Sequence, residues 1–265
     1  MKKLLLGASA LVALAGPSFA ADLPVKAMAP PVPLLDWTGF YIGGNVGGGF
    51  ASSTLTGFSG NAGAAPFFAG GEFPNVLAPG VGGVIAGGEV GYNWQVSRSW
   101  LIGVETDFQY SGIKGNATVV TAPPVLPSST TSVEQHSDWF GTFRGRAGIL
   151  ATPSVLLYGT GGLAYGQTEA SFSTVGTGFT LGTCPVGLPC AAASSSSTKV
   201  GWTLGAGFEI MSIPHWTFKV EYLYVDLGTI NLTGATTAAF VPPVSFSSSN
   251  PFKENIMRVG VNYKF

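Results

Sequence analysis

Eight stretches of the chain alternate bulky apolar residues with small or polar ones, and the charged residues within them share the phase of the glycines. In the stretch 100–110, for example, Ile102 and Phe108 fall on one phase, whereas Glu105 and Asp107 fall on the other. Because successive side chains of a β-strand point to opposite faces, the pattern predicts strands with a bulky apolar face and a narrow polar face.

The predicted strands are separated by connections of two alternating kinds. The strands are approximately Phe40–Phe50, Val84–Val96, Trp100–Tyr110, Trp139–Leu150, Val155–Gly166, Lys199–Ile210, Trp216–Val225 and Asn255–Phe265. Short turns follow the second, fourth and sixth strands. The long connections, rich in Gly, Ser, Thr, Ala and Pro and expected to lack regular structure, are Ala51–Gly83, Gly112–Asp138, Gln167–Thr198 and Asp226–Glu254. This arrangement predicts an all-β fold, an eight-stranded antiparallel transmembrane β-barrel with short periplasmic turns and four long extracellular loops.

The apolar face carries more bulk than the inside of such a barrel can hold. An eight-stranded barrel has an interior just wide enough to be filled by side chains, and the glycines and few charged residues of the polar face suit that space better. Aromatic residues of the apolar face also collect at both strand ends, as at the two interfaces of a bilayer. They are Phe40, Trp94, Trp100, Trp216 and Phe265 near the short turns, and Phe50, Tyr110, Trp139, Tyr165, Trp202 and Tyr224 near the long loops. We therefore expect the apolar face to contact lipid.

The beginning of the chain has the features of a secretory signal peptide. Two lysines precede the apolar run Leu4–Ala15, and small residues lead to a cleavage site near Ala20. This run is too short to span a bilayer as a helix, and no other apolar run in the sequence approaches the roughly 20 residues that a transmembrane helix needs. The predicted organisation is a signal peptide at 1–20, a Pro-rich periplasmic lead-in at 21–36 and a single outer-membrane barrel domain at 37–265.

The overall charge is nearly balanced, with 12 basic and 13 acidic residues. The sequence has no basic patch, so we expect no nucleic-acid partner.

The polar face is predicted to hold a network of ion pairs inside the barrel. Its members are Glu89, Glu105, Asp107, Arg144, Arg146, Lys199, Glu209, Lys219, Glu221 and Arg258, with Lys264 near the end of the last strand. Buried charges persist only when they are paired, and neighbouring strands carry opposite signs, as in Glu105 beside Arg144. Two interpretations remain: a salt-bridged plug, which the narrow interior favours, and an ion-selective pore lining.

Two segments resemble a known group of proteins. They are the run WTGFYIGGNVG at 37–47, just after the Pro-rich lead-in, and the closing run RVGVNYKF at 258–265. Both resemble the small outer-membrane β-barrel surface proteins of alphaproteobacteria, which are also described as porin-family or major surface-antigen proteins and are distant relatives of the outer-membrane protein A barrel. The resemblance spans 22–265 and implies an eight-stranded barrel in the outer membrane with a role at the cell surface.

The same resemblance implies how the barrel reaches the membrane. Val261, Tyr263 and Phe265 form the alternating, aromatic-terminated pattern that the barrel-assembly machinery recognises in this class. Outer-membrane lipid and lipopolysaccharide are the other expected partners.

The two cysteines, Cys184 and Cys190, lie in the third long connection. An even pair in an exported protein usually forms a disulfide, so we predict a structural link between them. A redox or metal role is the alternative.

The sequence predicts no catalytic residues, no metal site and no cofactor. His136 and His215 are too few to build a metal site with the cysteines, and Ser132 and Glu134 lie too close to His136 in sequence for a convincing triad. The predicted function is that of a non-enzymatic barrel that supports envelope integrity and displays surface loops. A lipid-modifying enzyme with a site at the barrel rim is a lesser alternative.

Two further functions stay open at this point. The long loops could bind host molecules, phage or haem, with His136, Phe67, Phe68 and Phe73 as candidate contacts. Alternatively, the barrel could be a narrow small-solute porin. Loops carry the function of a rigid scaffold, but their composition does not identify a ligand.

Overall fold

The structure is a computed structural model that describes residues 35–51, 55–122, 128–176, 189–236 and 244–265. The predicted signal peptide and nearly all of the predicted lead-in lie outside these residues. Within them, no helix is long and apolar enough to cross a bilayer.

Eight long strands form a closed antiparallel ring. In chain order the strands are β1 (Gly39–Ala51), β2 (Thr56–Gly60), β3 (Val76–Leu77), β4 (Gly80–Gln95), β5 (Trp100–Thr121), β6 (Ser129–Thr152), β7 (Val155–Gly176), β8 (Pro189–Ile213), β9 (Trp216–Ala235) and β10 (Ser245–Lys264), with one short helix, α1 (Ala65–Ala69), between β2 and β3. Strand β1 pairs with β4 on one side and with β10 on the other, which closes the ring. Strand β2 pairs with the extracellular part of β10, and β3 pairs in turn with β2. The predicted eight-stranded barrel is thus confirmed.

The apolar faces of the membrane-crossing segments point outward, as predicted. Phe40, Val84 and Trp100 are 66%, 70% and 57% exposed, whereas Glu89 and Glu105 on the opposite phase are 2% exposed. Both predicted belts of aromatic residues, one near each end of the strands, lie on this outer face. Side chains that would be buried in a soluble barrel therefore face the space that lipid occupies.

The strands continue far beyond the predicted boundaries, so the expectation of long structureless loops is wrong. Strand β6 starts at Ser129 instead of near Trp139, and β8 starts at Pro189 instead of near Lys199. The hydrogen-bonded ladders of β5–β6 and β6–β7 run on to Thr121 and Gly176. We call the extracellular part formed by the described residues of 55–83, 112–138, 167–198 and 226–254 the cap.

The cap has a hydrophobic core, which continues into the barrel below through residues such as Ile85, Phe140 and Ile256. Its buried members include Phe58, Phe73, Leu77, Ile113, Val133, Ala170, Phe172, Ile230, Leu232, Phe246 and Phe252. The segment β2–α1–β3 of the first connection contributes Phe58, Phe73 and Leu77, so this segment packs into the extended barrel. The ladder between β8 and β9 ends at Trp202 and Asp226, and a single bridge between Ala191 and Thr236 joins these strands above that level.

Candidate functional site: the barrel interior

The inward faces of β4, β5, β6, β8, β9 and β10 bring nine of the ten predicted charged residues into one buried layer. We call this set the ion-pair layer: Glu89, Glu105, Asp107, Arg144, Arg146, Glu209, Lys219, Glu221 and Arg258. Antiparallel pairing of β5 with β6 sets Glu105 directly opposite Arg144, as the sequence suggested. Every side chain in the layer is 0–3% exposed, so these charges are removed from water.

Glu105 is the hub of the ion-pair layer. It pairs with Arg144, and its oxygens lie 3.4 Å from Arg146, 3.3 Å from Lys219 and 3.6 Å from Arg258. The hydroxyl of Tyr41 donates a further hydrogen bond of 2.7 Å to this carboxylate. A carboxylate with this many donors has the partners that a buried charge requires.

The other carboxylates share the same cations. Arg144 also contacts Asp107 and Glu221 at 3.0 Å each, and Arg258 contacts the same two carboxylates at 2.8 and 2.6 Å. Because each guanidinium presents five donors in a planar fork, one arginine can serve several acids at once.

Two carboxylates lie at the margin of the layer. Glu209 pairs with Arg146 at 2.6 Å, and Glu89 pairs with Lys219 at 2.5 Å. These pairs tie β4, β6, β8 and β9 together across the interior of the barrel.

Lys199, the tenth predicted member, lies outside the ion-pair layer. In β8, Lys199 is paired with Gly166 of β7. Thr203, four residues further along β8, is paired with Gly162, which lies opposite Arg144 of the ion-pair layer. At about 3.3 Å per residue, Lys199 lies about 13 Å closer to the extracellular end of the barrel than the level of Arg144. It is therefore too far away to contact the carboxylates of the ion-pair layer. Lys199 is half-buried near the cap, and Lys264 is half-buried near the periplasmic mouth.

The periplasmic end of the barrel is sealed by Trp37, for which the sequence pattern indicates no role. Trp37 is 1% exposed and packs with Leu101, Leu156, Tyr158 and Met211. Its indole Nε1 donates a 3.0 Å hydrogen bond to the carbonyl of Pro153, and its backbone N–H donates to Gln95. The contact with Pro153 joins residues 116 positions apart, so no local pattern could have indicated it.

Replacing Trp37 by phenylalanine tests this seal. The aromatic packing is largely kept, but the hydrogen bond to Pro153 is lost, so we expect a destabilisation of about 0.5–1.5 kcal/mol. Equilibrium unfolding of the refolded protein in detergent micelles measures the change. Trp94→Phe, on the outer face, is the matched control and should have a smaller effect, and equal losses would contradict the seal.

Above the ion-pair layer lies a second polar group at the base of the cap. Thr56 Oγ1 donates to Asn250 at 3.1 Å, and Gln135 Nε2 donates to Thr56 Oγ1 at 3.0 Å. Glu254 is buried beside them, bordering a void of about 10 Å³ that His136 and Lys253 also line. This residue is the last of the cap, directly before Asn255, where the sequence predicts that the membrane-crossing part of β10 begins. Burial raises the pKa of the Glu254 carboxyl from its usual 4.5 to about 7.

The raised pKa of Glu254 predicts a pH-dependent stability. The folded protein retains this proton up to about pH 7, whereas the unfolded chain loses it near pH 4.5. Stability should therefore fall as the pH rises from about 4.5 through 7, by up to about 3 kcal/mol in total, and level off about one pH unit above 7. The difference in unfolding free energy between the parent and Glu254→Gln, measured from pH 4.5 to 8, isolates the effect. Parallel pH profiles would contradict it.

The candidate binding aromatics of the first connection belong to the cap core. Phe73 is 4% exposed and stacks on Phe246 at 4.2 Å, while Phe67 and Phe68 pack against the same ring. The expectation that these three phenylalanines are exposed for ligand binding is therefore wrong for Phe73, and only partial exposure remains for the other two. The apolar interior of the cap accounts for their position.

His136 lies on the outer face of the cap, half-buried between two acids. Its Nε2 is 3.5 Å from Asp138 and 3.6 Å from Glu169. Among the described residues, no group of three or more His, Cys, Asp or Glu has the arrangement of a metal site.

The remaining predicted residues lie at the two ends of the strands. Val261 is on the outer face of β10 and is 37% exposed, Tyr263 is half-buried, and Phe265, which directly follows the strand, is 70% exposed. Cys190 is buried in the cap, at 4% exposure. Cys184 lies outside the described residues, so the disulfide between the two cysteines stays a prediction.

Comparisons with known proteins agree with this architecture. The family model of the outer membrane protein β-barrel domain matches residues 7–265. The chain is 36% identical to the 31 kDa outer-membrane immunogenic protein of Brucella melitensis, with all of both chains covered. It is 30% identical to the 22 kDa outer membrane protein of Rhizobium leguminosarum bv. viciae, over 89% of this chain and 82% of that one.

Among solved structures, the outer membrane protein OprG of Pseudomonas aeruginosa is similar to this chain, with a TM-score of 0.43 and 12% identity over 86% of this chain and 97% of that one. The family match and the two full-length relatives carry the assignment. They place the protein in the bacterial outer membrane. The chain belongs to the outer membrane β-barrel protein family.

Proposed function

We propose that this protein is a non-enzymatic structural barrel that supports envelope integrity and displays its cap at the cell surface. The observation that supports this function is the filled interior. Along the barrel, the Trp37 seal is followed by the ion-pair layer and then by the cap core. A barrel filled at three levels offers solutes no wide path.

Surface display is supported by the chemistry of the cap. Its outer face is rich in hydroxyl side chains, such as Ser171, Ser194, Thr233 and Ser247, whereas aromatic residues such as Phe172 and Phe246 are buried inside it. Relatives of the chain are named immunogenic outer-membrane proteins. A polar surface held rigid by strands is well suited to contact with molecules outside the cell. We propose that lipopolysaccharide is one of the molecules that contact the barrel in the membrane.

A deletion strain and a conductance measurement test the proposal together. Loss of the gene should make cells more sensitive to detergent, and the purified barrel in a planar bilayer should give no large single-channel current. An unchanged envelope would favour binding through the cap as the main function. A large current from the parent protein would favour the porin alternative.

We also propose that the end of β10 is the segment that the barrel-assembly machinery reads. Replacing Phe265 by serine should lower the amount of folded protein in the outer membrane several-fold, because the terminal aromatic is lost while the buried layers are untouched. Heat-modifiable migration on gels measures the folded fraction. Phe50→Ser, at the other end of the outer face, is the matched control, and equal losses in both variants would contradict a specific signal.

A further inference from the structure

A polar groove lies on the outer wall of the cap, where β4 begins beside β5. It has a volume of about 270 Å³, and its lining includes Gly80, Lys114, Asn116, Glu134 and His136. None of these residues belongs to the ion-pair layer or to the buried core of the cap. Neither the plug nor the packing of the cap therefore accounts for the groove.

Four polar side chains form one wall of the groove. Lys114 and Asn116 of β5 lie opposite His136 and Glu134 of β6 in the antiparallel ladder, and all four are on the outward phase of their strands. Facing side chains on adjacent strands are about 5 Å apart. An ammonium, an amide, an imidazole and a carboxylate are therefore held within reach of one small molecule.

Glycines supply the space beside this wall. Gly80 and Gly82 of β4 lie opposite Asn116 and Lys114, on the side away from β6. A β-carbon on Gly80 would meet nothing within 4 Å beyond its own chain neighbours, and one on Gly82 would meet only the backbone oxygen of Gly49 at 3.5 Å. The groove exists because β4 carries no outward side chain at this level.

The charges of the groove are open to a ligand. Among the described residues, Lys114 and Glu134 take part in no salt bridge, and both side chains are exposed, whereas His136 lies between Asp138 and Glu169. Lys114 and Glu134 together carry no net charge, so they do not select a ligand by its overall charge. A carboxylate accepts hydrogen bonds while an ammonium and an amide donate them, a combination that suits the neighbouring hydroxyl groups of a sugar.

The groove lies just beyond the belt of aromatic residues near the cap. Lys114 follows Tyr110 of that belt by four residues, which is about 13 Å along the strand and about 10 Å along the membrane normal at a strand tilt of about 35–45°. Gly82 is paired on its other side with Phe50, a ring of the same belt that is 50% exposed. The groove thus continues the lipid-facing surface and opens sideways, at the level of the headgroups of neighbouring lipids.

We propose that this groove binds a core sugar of a lipopolysaccharide molecule in the outer leaflet. The inference rests on the proposed contact between the barrel and lipopolysaccharide, to which it assigns a place. Glu134 accepts hydrogen bonds from hydroxyl groups of the sugar, and Lys114 and Asn116 donate to its oxygens. The volume of the groove admits a single sugar ring, while the acyl chains of the same lipid lie against the aromatic belt below. A soluble saccharide lacks that second contact, which favours the lipid as the occupant.

Native mass spectrometry of the full-length protein tests the site. The barrel is refolded in micelles and incubated with lipopolysaccharide that carries only its inner-core sugars, and the lipid retained per barrel is measured. Lys114→Ala and Glu134→Ala should each lower the retention several-fold, because each removes a hydrogen-bonding group from the groove. Lys253→Ala, at an exposed lysine on the outer face of β10, is the matched control and should retain as much lipid as the parent.

A variant that fills the groove separates binding there from a general effect of surface charge. Gly80→Leu adds a side chain where the structure leaves open space, and it removes no polar group. The variant should fold, migrate on gels like the folded parent and retain several-fold less lipopolysaccharide. Equal retention by Gly80→Leu and the parent would overturn the proposal.

Two further ligands identify the part of the lipid that is recognised. Lipid A, which lacks the core sugars, should be retained less than lipopolysaccharide and to the same extent by the parent and Gly80→Leu. If lipid A is retained as well as lipopolysaccharide, the core sugar has no role and the groove is refuted as its site, while the contact between the barrel and the lipid stands. If the free inner-core oligosaccharide binds as tightly as the lipid and Gly80→Leu blocks it, a soluble saccharide is the occupant and the proposal is refuted.

Discussion

Replacing Arg144 by methionine should destabilise the folded barrel by about 3–5 kcal/mol. The guanidinium is fully buried and is shared by Glu105, Asp107 and Glu221. Methionine fills part of its volume, but three carboxylates are left with fewer partners in an interior that water does not reach. Equilibrium unfolding in micelles, together with the temperature at which heat-modifiable migration is lost, measures the effect.

Lys199→Met is the matched control for Arg144→Met. Lys199 is a basic residue on the same inward phase of its strand, but it is half-buried and makes no ion pair within the described structure, so its replacement should change stability by no more than about 0.5 kcal/mol. Arg144→Met should also leave the barrel without a large single-channel current. Similar losses in the two variants, or a new large current, would contradict the plug.

Replacing Phe73 by alanine should loosen the cap at a cost of about 3–5 kcal/mol. Phe73 is buried, stacks on Phe246 at 4.2 Å and lies 5.4 Å, centre to centre, from the rings of both Phe58 and Phe68. Its removal leaves a cavity where the first connection meets the extended strands. Protease added to the refolded protein in vesicles should then cut within 55–83, while the membrane-crossing strands stay protected.

Leu55→Ala is the control for the cap. Leu55 belongs to the same connection but is 53% exposed, so the substitution should leave the cleavage pattern of the parent unchanged. If the parent protein is cut in this segment as readily as Phe73→Ala, the cap core does not hold the connection in place.

The membrane-crossing strands could be predicted from the sequence because their signal is local and strong. Within the membrane, an outward-facing residue such as Leu163 must be apolar, whereas its inward-facing neighbour Gly162 must be small. Bulky apolar residues and small residues therefore alternate along the strand. Beyond the membrane the outer face contacts water, so polar residues point outward and apolar residues point inward. In β7, Phe172 points inward and Ser171 points outward, although the strand is continuous. The pattern of bulky residues on the outer phase therefore stops at the membrane boundary, although the strands continue beyond it.

The composition of the ion-pair layer could be predicted only in part. The phase of the charges indicated which side chains point inward, and nine of the ten reach the layer. Lys199 lies outside the layer because of its position along the barrel axis. That position depends on the strand register, which local periodicity does not determine. Trp37 and the tyrosines Tyr41 and Tyr158 were missed because their polar partners are far away along the chain. Long-range contacts of this kind have no counterpart in local periodicity.

Fluorescence quenching by brominated lipids tests the orientation of the two faces most directly. Two variants are needed, one retaining only Trp202 and one retaining only Trp37, with phenylalanine at the other tryptophan positions. Trp202 is 49% exposed on the outer face, whereas Trp37 is 1% exposed inside the periplasmic mouth. Lipids brominated near the headgroup should quench Trp202 strongly and leave Trp37 almost unaffected. Quenching of Trp37 with protection of Trp202 would contradict the account.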